Sequence, residues 1–166
     1  MHRAAPGFVN IPGMRYGLFS ISLILALVFG GSVAAADYQL RDLDGKLHRV
    51  SDYRGKFLVI NFWATWCDPC IEEMPELERF YRNNRGRAAV WGVTFENRNR
   101  QKIIEFVENL GVTYPILGYG QDPETGYGRV TVLPTTFIID PDGLFYHRFE
   151  GPIKTRQIVE IIDAYR

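Results

Sequence analysis

A chain of 166 residues, 46% hydrophobic and 23% charged, has the length and composition of one globular domain with a short additional element, and intrinsic disorder is excluded. Nineteen Lys and Arg balance nineteen Asp and Glu, so no basic surface points to a nucleic-acid partner. The only two cysteines, Cys67 and Cys70, lie three positions apart, which excludes a small scaffold stapled by several disulfides.

Residues 1–36 differ from the rest. Arg3 and Arg15 are their only charges, and Gly17–Gly30, "GLFSISLILALVFG", is the apolar heart of an uncharged stretch from Tyr16 to Ala36. A basic flank, an apolar centre and the small residues Ala34 and Ala36 before Asp37 are the parts of a secretory signal. Met14-Arg15 is the more natural start of that signal, with residues 1–13 an upstream mis-start. An uncleaved anchor is the rival, since a bilayer span needs about 20 apolar residues and Tyr16–Ala36 reaches that length. Residues 1–36 are therefore expected to be a signal peptide or membrane anchor, with 37–166 the folded domain outside the cytoplasm. That domain carries 17 basic against 19 acidic residues, a net charge of −2, which makes no membrane-binding surface.

Along the domain, Asp44-Gly45 is hairpin chemistry between short alternating segments, and Arg54-Gly55-Lys56 marks a second turn. Phe57–Phe62, "FLVINF", reads as a strand covered on both faces. After Cys67-Asp68-Pro69-Cys70 a helix is predicted to about Asn83. Pro69 suits its first turn, Pro75 is a bend, and Cys70, Met74, Leu77 and Tyr81 form the buried face. Ala88–Phe95 is a second buried strand, and Ile103, Phe106, Val107 and Leu110 make a helical stripe that stops at Gly111. Tyr114–Leu117 is a short strand, and Gln121–Val132 a loop with one helical turn. Thr135–Asp140 and Leu144–Glu150 flank the Pro141-Asp142-Gly143 turn as a hairpin, and Ile158, Ile161, Ile162 and Tyr165 form a closing helix. This order predicts an α/β domain with a central mixed sheet, helices on both faces and an N-terminal β-hairpin.

The thiol pair is the chemical centre. A disulfide closing so short a loop removes little chain entropy, so a purely structural cross-link is disfavoured. Structural zinc needs four ligands, and only His48 and His147 remain in the domain, distant in sequence. Redox exchange is left as the best reading. Cys67 falls before the helix, where unpaired N–H groups and the macrodipole favour a thiolate, and it is expected to be exposed. Cys70, one turn in on the apolar face, is expected to be shielded. Asp68 opposes a second negative charge and argues for a reducing rather than strongly oxidising pair.

The stretches "FLVINFWATWCDPCIEEMPEL" and "LPTTFIIDPDG" together resemble the thioredoxin superfamily. More narrowly, the domain is similar to extracytoplasmic, membrane-associated thiol–disulfide reductases that serve cytochrome c maturation, down to the "DLDGK" hairpin ahead of the core. The resemblance implies a thioredoxin-like fold and a cis proline at Pro134. It implies a substrate-binding rim of Trp66, Asp68, Pro69, Leu133, Pro134 and Thr135, with Trp63 in the core. Many thioredoxins carry a buried aspartate where this chain has Asn61, and the resemblance offers Glu96 as the substitute base for Cys70. Burial would raise the pKa of Glu96; the alternative is a solvated loop carboxylate.

The expected function is thus reduction of client disulfides, with Cys67 attacking, Cys70 resolving and Glu96 accepting a proton. No cofactor and no metal are expected. The partners are disulfide-bearing clients, apocytochrome c among them, and a membrane thiol carrier as electron donor, with the chain a monomer. The alternatives are an oxidase or isomerase on the same fold, a copper-binding chaperone using Cys67, Cys70 and a histidine, and a peroxidase.

Overall fold

The structure, a computed structural model, describes residues 37–96, 99–118 and 125–165. The expected signal or anchor over 1–36 lies outside the described residues, as does the part of the 121–132 loop before Thr125.

β1 (Gln39–Arg41) and β2 (Leu47–Arg49) form the expected antiparallel hairpin. Asp42 closes it, its Oδ1 accepting from the N–H groups of Asp44 and Lys46 at 2.9 Å each, and Gly45 takes the left-handed φ of 82° that the turn requires. A 3₁₀ turn follows at Val50–Tyr53. β3 (Phe57–Trp63) is buried at all seven positions because it is the central strand: β4 (Ala88–Thr94) pairs with it in parallel and β6 (Thr135–Ile139) antiparallel. β5 (Ile116–Leu117) and β7 (Phe145–Glu150) are the edges, giving the order β5-β4-β3-β6-β7. The helices are α1 (Asp68–Asn84), α2 (Arg100–Asn109) and α3 (Thr155–Asp163).

Alternation along β3 divides the core in two. Phe57, Val59 and Trp63 face one side, where Met74, Leu77 and Phe80 of α1, Ile103 and Val107 of α2, and Ile158 and Ile162 of α3 join them. Leu58, Ile60 and Phe62 face the other, against Leu40 of the hairpin and Val50 of the 3₁₀ turn. Among the described residues the α-helices α1, α2 and α3 pack on one face and the 3₁₀ turn on the other. The reason is topological: β3, β4 and β5 step outward in one direction, and right-handed crossovers then put α1 and α2 on the same side. In the described part of the 121–132 loop, Thr125 and Gly128 bridge a turn and no helical turn is present.

Candidate active site

β3 ends at the sheet's C-terminal edge and delivers the chain into a tight turn. Cys67 N–H donates to the Ala64 carbonyl at 3.1 Å, and the Cys67 carbonyl accepts from Cys70 and Ile71 N–H at 3.0 and 3.1 Å, so Cys67 is the N-cap of α1. Asp68 and Pro69 fill the first turn, where an acid and a residue without N–H both suit the helix start. Cys67 and Cys70 are joined in a disulfide with Cα atoms 5.2 Å apart.

Trp66 is 62% exposed, Cys67 only 6% and Cys70 not at all. The expectation of an exposed Cys67 is corrected here. Cys67 lines a groove of about 550 Å³ together with Trp66, Asp68, Pro69, Phe95 and Val130–Leu133. The two sulfurs still differ, since Cys67 borders the groove while Cys70 is sealed beneath it among Met74 and Leu77. Trp66, Phe95 and Val132, all more than 40% exposed, give the groove an apolar rim with Asp68 as its charged residue.

The Leu133–Pro134 peptide is cis, as the resemblance implied, and the Pro134 carbonyl accepts from Gly151 N–H at 2.9 Å. Leu133 lines the groove with the C-x-x-C residues. Thr135 is not among the lining residues: it is fully buried, and its hydroxyl donates to the Val132 carbonyl at 2.7 Å, bracing the loop that carries Val132 and Leu133. Trp63 is fully buried and stacks on Phe106 with ring centroids 5.9 Å apart.

Glu96 is buried, 6% exposed, and is no solvated loop carboxylate. Its oxygens accept from Thr65 N–H at 2.7 Å and Thr65 Oγ1 at 2.8 Å, fastening the turn two residues before Cys67.

A second carboxylate escaped the sequence reading. Glu73 stands three residues after Cys70, on the same buried face of α1, and is 2% exposed. Its Oε1 accepts from Asn61 Nδ2 at 2.6 Å and its Oε2 from Ile153 N–H at 2.8 Å. Burial pushes its pKa up to about 7, against the opposing pull of the hydrogen bonds from Ile153 and Asn61. Asn61 Nδ2 also donates to Thr136 Oγ1 at 3.0 Å, so β3, α1 and the segment ahead of α3 meet at this carboxyl group, with β6 joined to it through Asn61. The Cys70-x-x-Glu73 spacing was the available signal, hidden within an otherwise acidic segment.

Of the histidines, His48 is held between Asp42 Oδ2 at 2.7 Å and Tyr53 Oη at 2.9 Å, and His147 lies on the edge strand β7. Among the described residues no three metal-ligating side chains converge.

The AhpC/TSA family model matches residues 32–148. Thiol-disulfide oxidoreductase ResA of Geobacillus kaustophilus (strain HTA426) is 39% identical over 132 residues, covering 80% of this chain and 76% of that protein. A DsbF homologue from Corynebacterium diphtheriae shares the fold with a TM-score of 0.71 at 23% identity, covering 78% of this chain and 84% of that one. The pneumococcal exposed lipoprotein thioredoxin Etrx1 of Streptococcus pneumoniae strain TIGR4 superimposes with a TM-score of 0.64 at 26% identity, covering 78% of this chain and 100% of that one.

Proposed function

The chain belongs to the AhpC/TSA family, and from that membership and its Cys67–Cys70 pair we propose a thiol–disulfide oxidoreductase that reduces client disulfides outside the cytoplasm. The observation that carries the reading is the unequal cover of the two sulfurs at the start of α1, one bordering an apolar groove and one sealed below it.

In the reduced enzyme the Cys67 thiolate, favoured by the N–H groups of α1, attacks one sulfur of a client disulfide. A Cys67–client bond forms, the client S–S bond breaks, and the second client sulfur leaves as a thiolate that takes a proton. Cys70 then loses its proton and attacks Cys67 Sγ. The mixed disulfide breaks, the client leaves with two thiols, and the enzyme retains two fewer electrons as its own disulfide. Leu133 and cis-Pro134 offer backbone beside the groove for strand-like pairing with the client, and Trp66, Pro69 and Phe95 receive its apolar side chains.

The Cys70 proton needs an acceptor in a site closed to water. Glu73 suits this role, being one turn away on the same face and titrating near neutrality. Glu96 is the other buried carboxylate of the site, and its bonds to Thr65 make it the group that also holds the attacking cysteine's turn.

The apolar Gly17–Gly30 run supports an extracytoplasmic location, with 1–36 as signal or anchor, and the pneumococcal neighbour is described as an exposed lipoprotein. A membrane thiol carrier would then re-reduce the pair. Proteins with a C-x-x-C-H haem-attachment motif are a fitting client class, because their thiols must be reduced before haem is attached.

Trapping tests the reading. A Cys70→Ser chain expressed in its natural setting should accumulate reducible mixed disulfides on a non-reducing gel, and Cys67→Ser few or none. The opposite pattern would reverse the two roles, and no trapped partner with either variant would contradict client exchange.

A further inference from the structure

β7 is an edge strand, and its side away from β6 carries no strand among the described residues. The pairing with β6 decides which backbone groups are left over. Gly151 N–H donates to the Pro134 carbonyl at 2.9 Å, and Glu150 lies opposite Thr135 in the same antiparallel register. Hydrogen-bonded pairs alternate along such a ladder, so His147 and Phe149 turn their N–H and C=O groups to β6. Arg148 and Glu150 turn theirs outward.

This open edge is short and bounded. The register irregularity between Ile138 and Ile139 disturbs the ladder at its Phe145 end, and Pro152, which has no N–H, closes the other. What remains is Arg148-Phe149-Glu150, and that stretch is complementary to itself. Set antiparallel against a second copy about a two-fold axis at Phe149, each Arg148 lies opposite the other chain's Glu150, and the two phenylalanines face each other. Both charged pairs then occupy hydrogen-bonded positions, and Phe149 the closer, non-bonded one. An axis at Arg148 or at Glu150 would use the same backbone groups but oppose like charges, which is disfavoured.

The side chains suit the Phe149 axis. Arg148 lies with its guanidinium carbon 5.4 Å from the Phe137 ring centroid and pairs with Glu150 of its own strand, while its Nε has no partner among the described residues. The guanidinium therefore keeps donors for a second carboxylate. On the α3 side, Phe149 is half-buried and lines a hollow of about 450 Å³ with Tyr146, Ile161 and Ala164, apolar surface on which a second ring can pack.

We propose that the chain forms a two-fold dimer through Arg148-Phe149-Glu150, joining two sheets edge to edge, in place of the monomer expected from the sequence. The contact is isologous, with the same three residues on both sides. It is small, so the dimer is reversible. None of the three residues lines the Cys67 groove, and the contact is separate from the exchange site.

Sedimentation equilibrium of the full-length chain over a wide range of concentration reads the dimer directly. The parent should pass from monomer to dimer as concentration rises. Glu150→Arg sets arginine against arginine at both pairs and should raise the dissociation constant about tenfold. Adding Arg148→Glu swaps the charges and remakes the pairs, so the double variant should recover the parent's affinity. The register is read by cross-linking with diamide in a Cys67→Ser/Cys70→Ser chain. Phe149→Cys should give a band of doubled mass on a non-reducing gel, because Cα atoms at a non-bonded pair lie about 4.5 Å apart, within disulfide reach. His147→Cys, which faces Gly151 of the second copy, should not. A parent that stays monomeric, a Glu150→Arg chain that associates like the parent, or equal cross-linking at the two positions overturns the inference. So does a folded double variant that stays weakened; should Arg148→Glu not fold, the cross-linking comparison decides alone.

Discussion

Glu73 concentrates the residue-scale physics of this protein, because a buried carboxyl group that titrates near 7 couples folding to pH. Its ordinary pKa of 4.5 applies in the unfolded chain, and burial raises it to about 7 in the folded one. Between those values the folded state holds a proton that the unfolded state has lost, so stability falls as pH rises through that window and levels off above it. The full effect is on the order of 3 kcal/mol. Urea unfolding at pH 4.5 and pH 8 should show a larger loss in the parent than in Glu73→Gln, whose amide does not titrate. Equal losses in the two would contradict the raised pKa. Sequence alone made the cysteines legible, since C-x-x-C is local and its position before an apolar helical face can be read from spacing. The burial of Glu73 depends on Ile153, eighty residues later in the chain, and no local pattern carries that contact. Glu96 was legible as a candidate, but its bonds to Thr65 were not.

Elements were legible where periodicity or turn chemistry defines them. β3 stood out as the apolar run Phe57–Phe62, one residue short of its observed end at Trp63, and the hairpins because Asp44-Gly45 and Asp142-Gly143 mark their turns. The 3₁₀ turn at Val50–Tyr53 carries no comparable signal. Neither does the irregularity between Ile138 and Ile139 in the pairing of β6 with β7, which arises from register between strands. Contacts between elements also explain a glycine that looks ordinary in sequence. Gly92 sits mid-strand, where glycine is unfavourable, yet a Cβ there would come within 2.8 Å of Ile116 Cδ1 and 2.9 Å of Tyr114 Cε2. Gly92→Ala should therefore destabilise the fold by about 1–3 kcal/mol, the usual cost of overpacking, although alanine is the better strand former. Thermal unfolding would check this, and a variant as stable as the parent would show that β5 and Tyr114 can give way.

At the scale of the whole molecule, the sheet sets the site. The central strand β3 hands the chain to α1, and β6 brings cis-Pro134 beside the motif from the neighbouring position in the sheet. The Val130–Leu133 loop and Phe95 then complete an apolar groove at Cys67. The N-terminal hairpin covers the opposite face, where Trp91 packs on Tyr53 with ring centroids 5.4 Å apart. Among the described residues no helix is long and apolar enough to cross a membrane.

The direction of electron flow is the central claim, and the reduction potential of the Cys67–Cys70 pair tests it most directly. The α1 N-terminus favours a thiolate at Cys67, while the exposed carboxylate of Asp68, next in the chain, opposes it and keeps the reduced form from being strongly stabilised. Equilibration of the protein against glutathione or dithiothreitol buffers should give a potential near thioredoxin's, about −270 mV, and far from a strong oxidant's, about −120 mV. A value above roughly −180 mV would contradict the account and make the pair a donor of disulfides instead of a reductant of them.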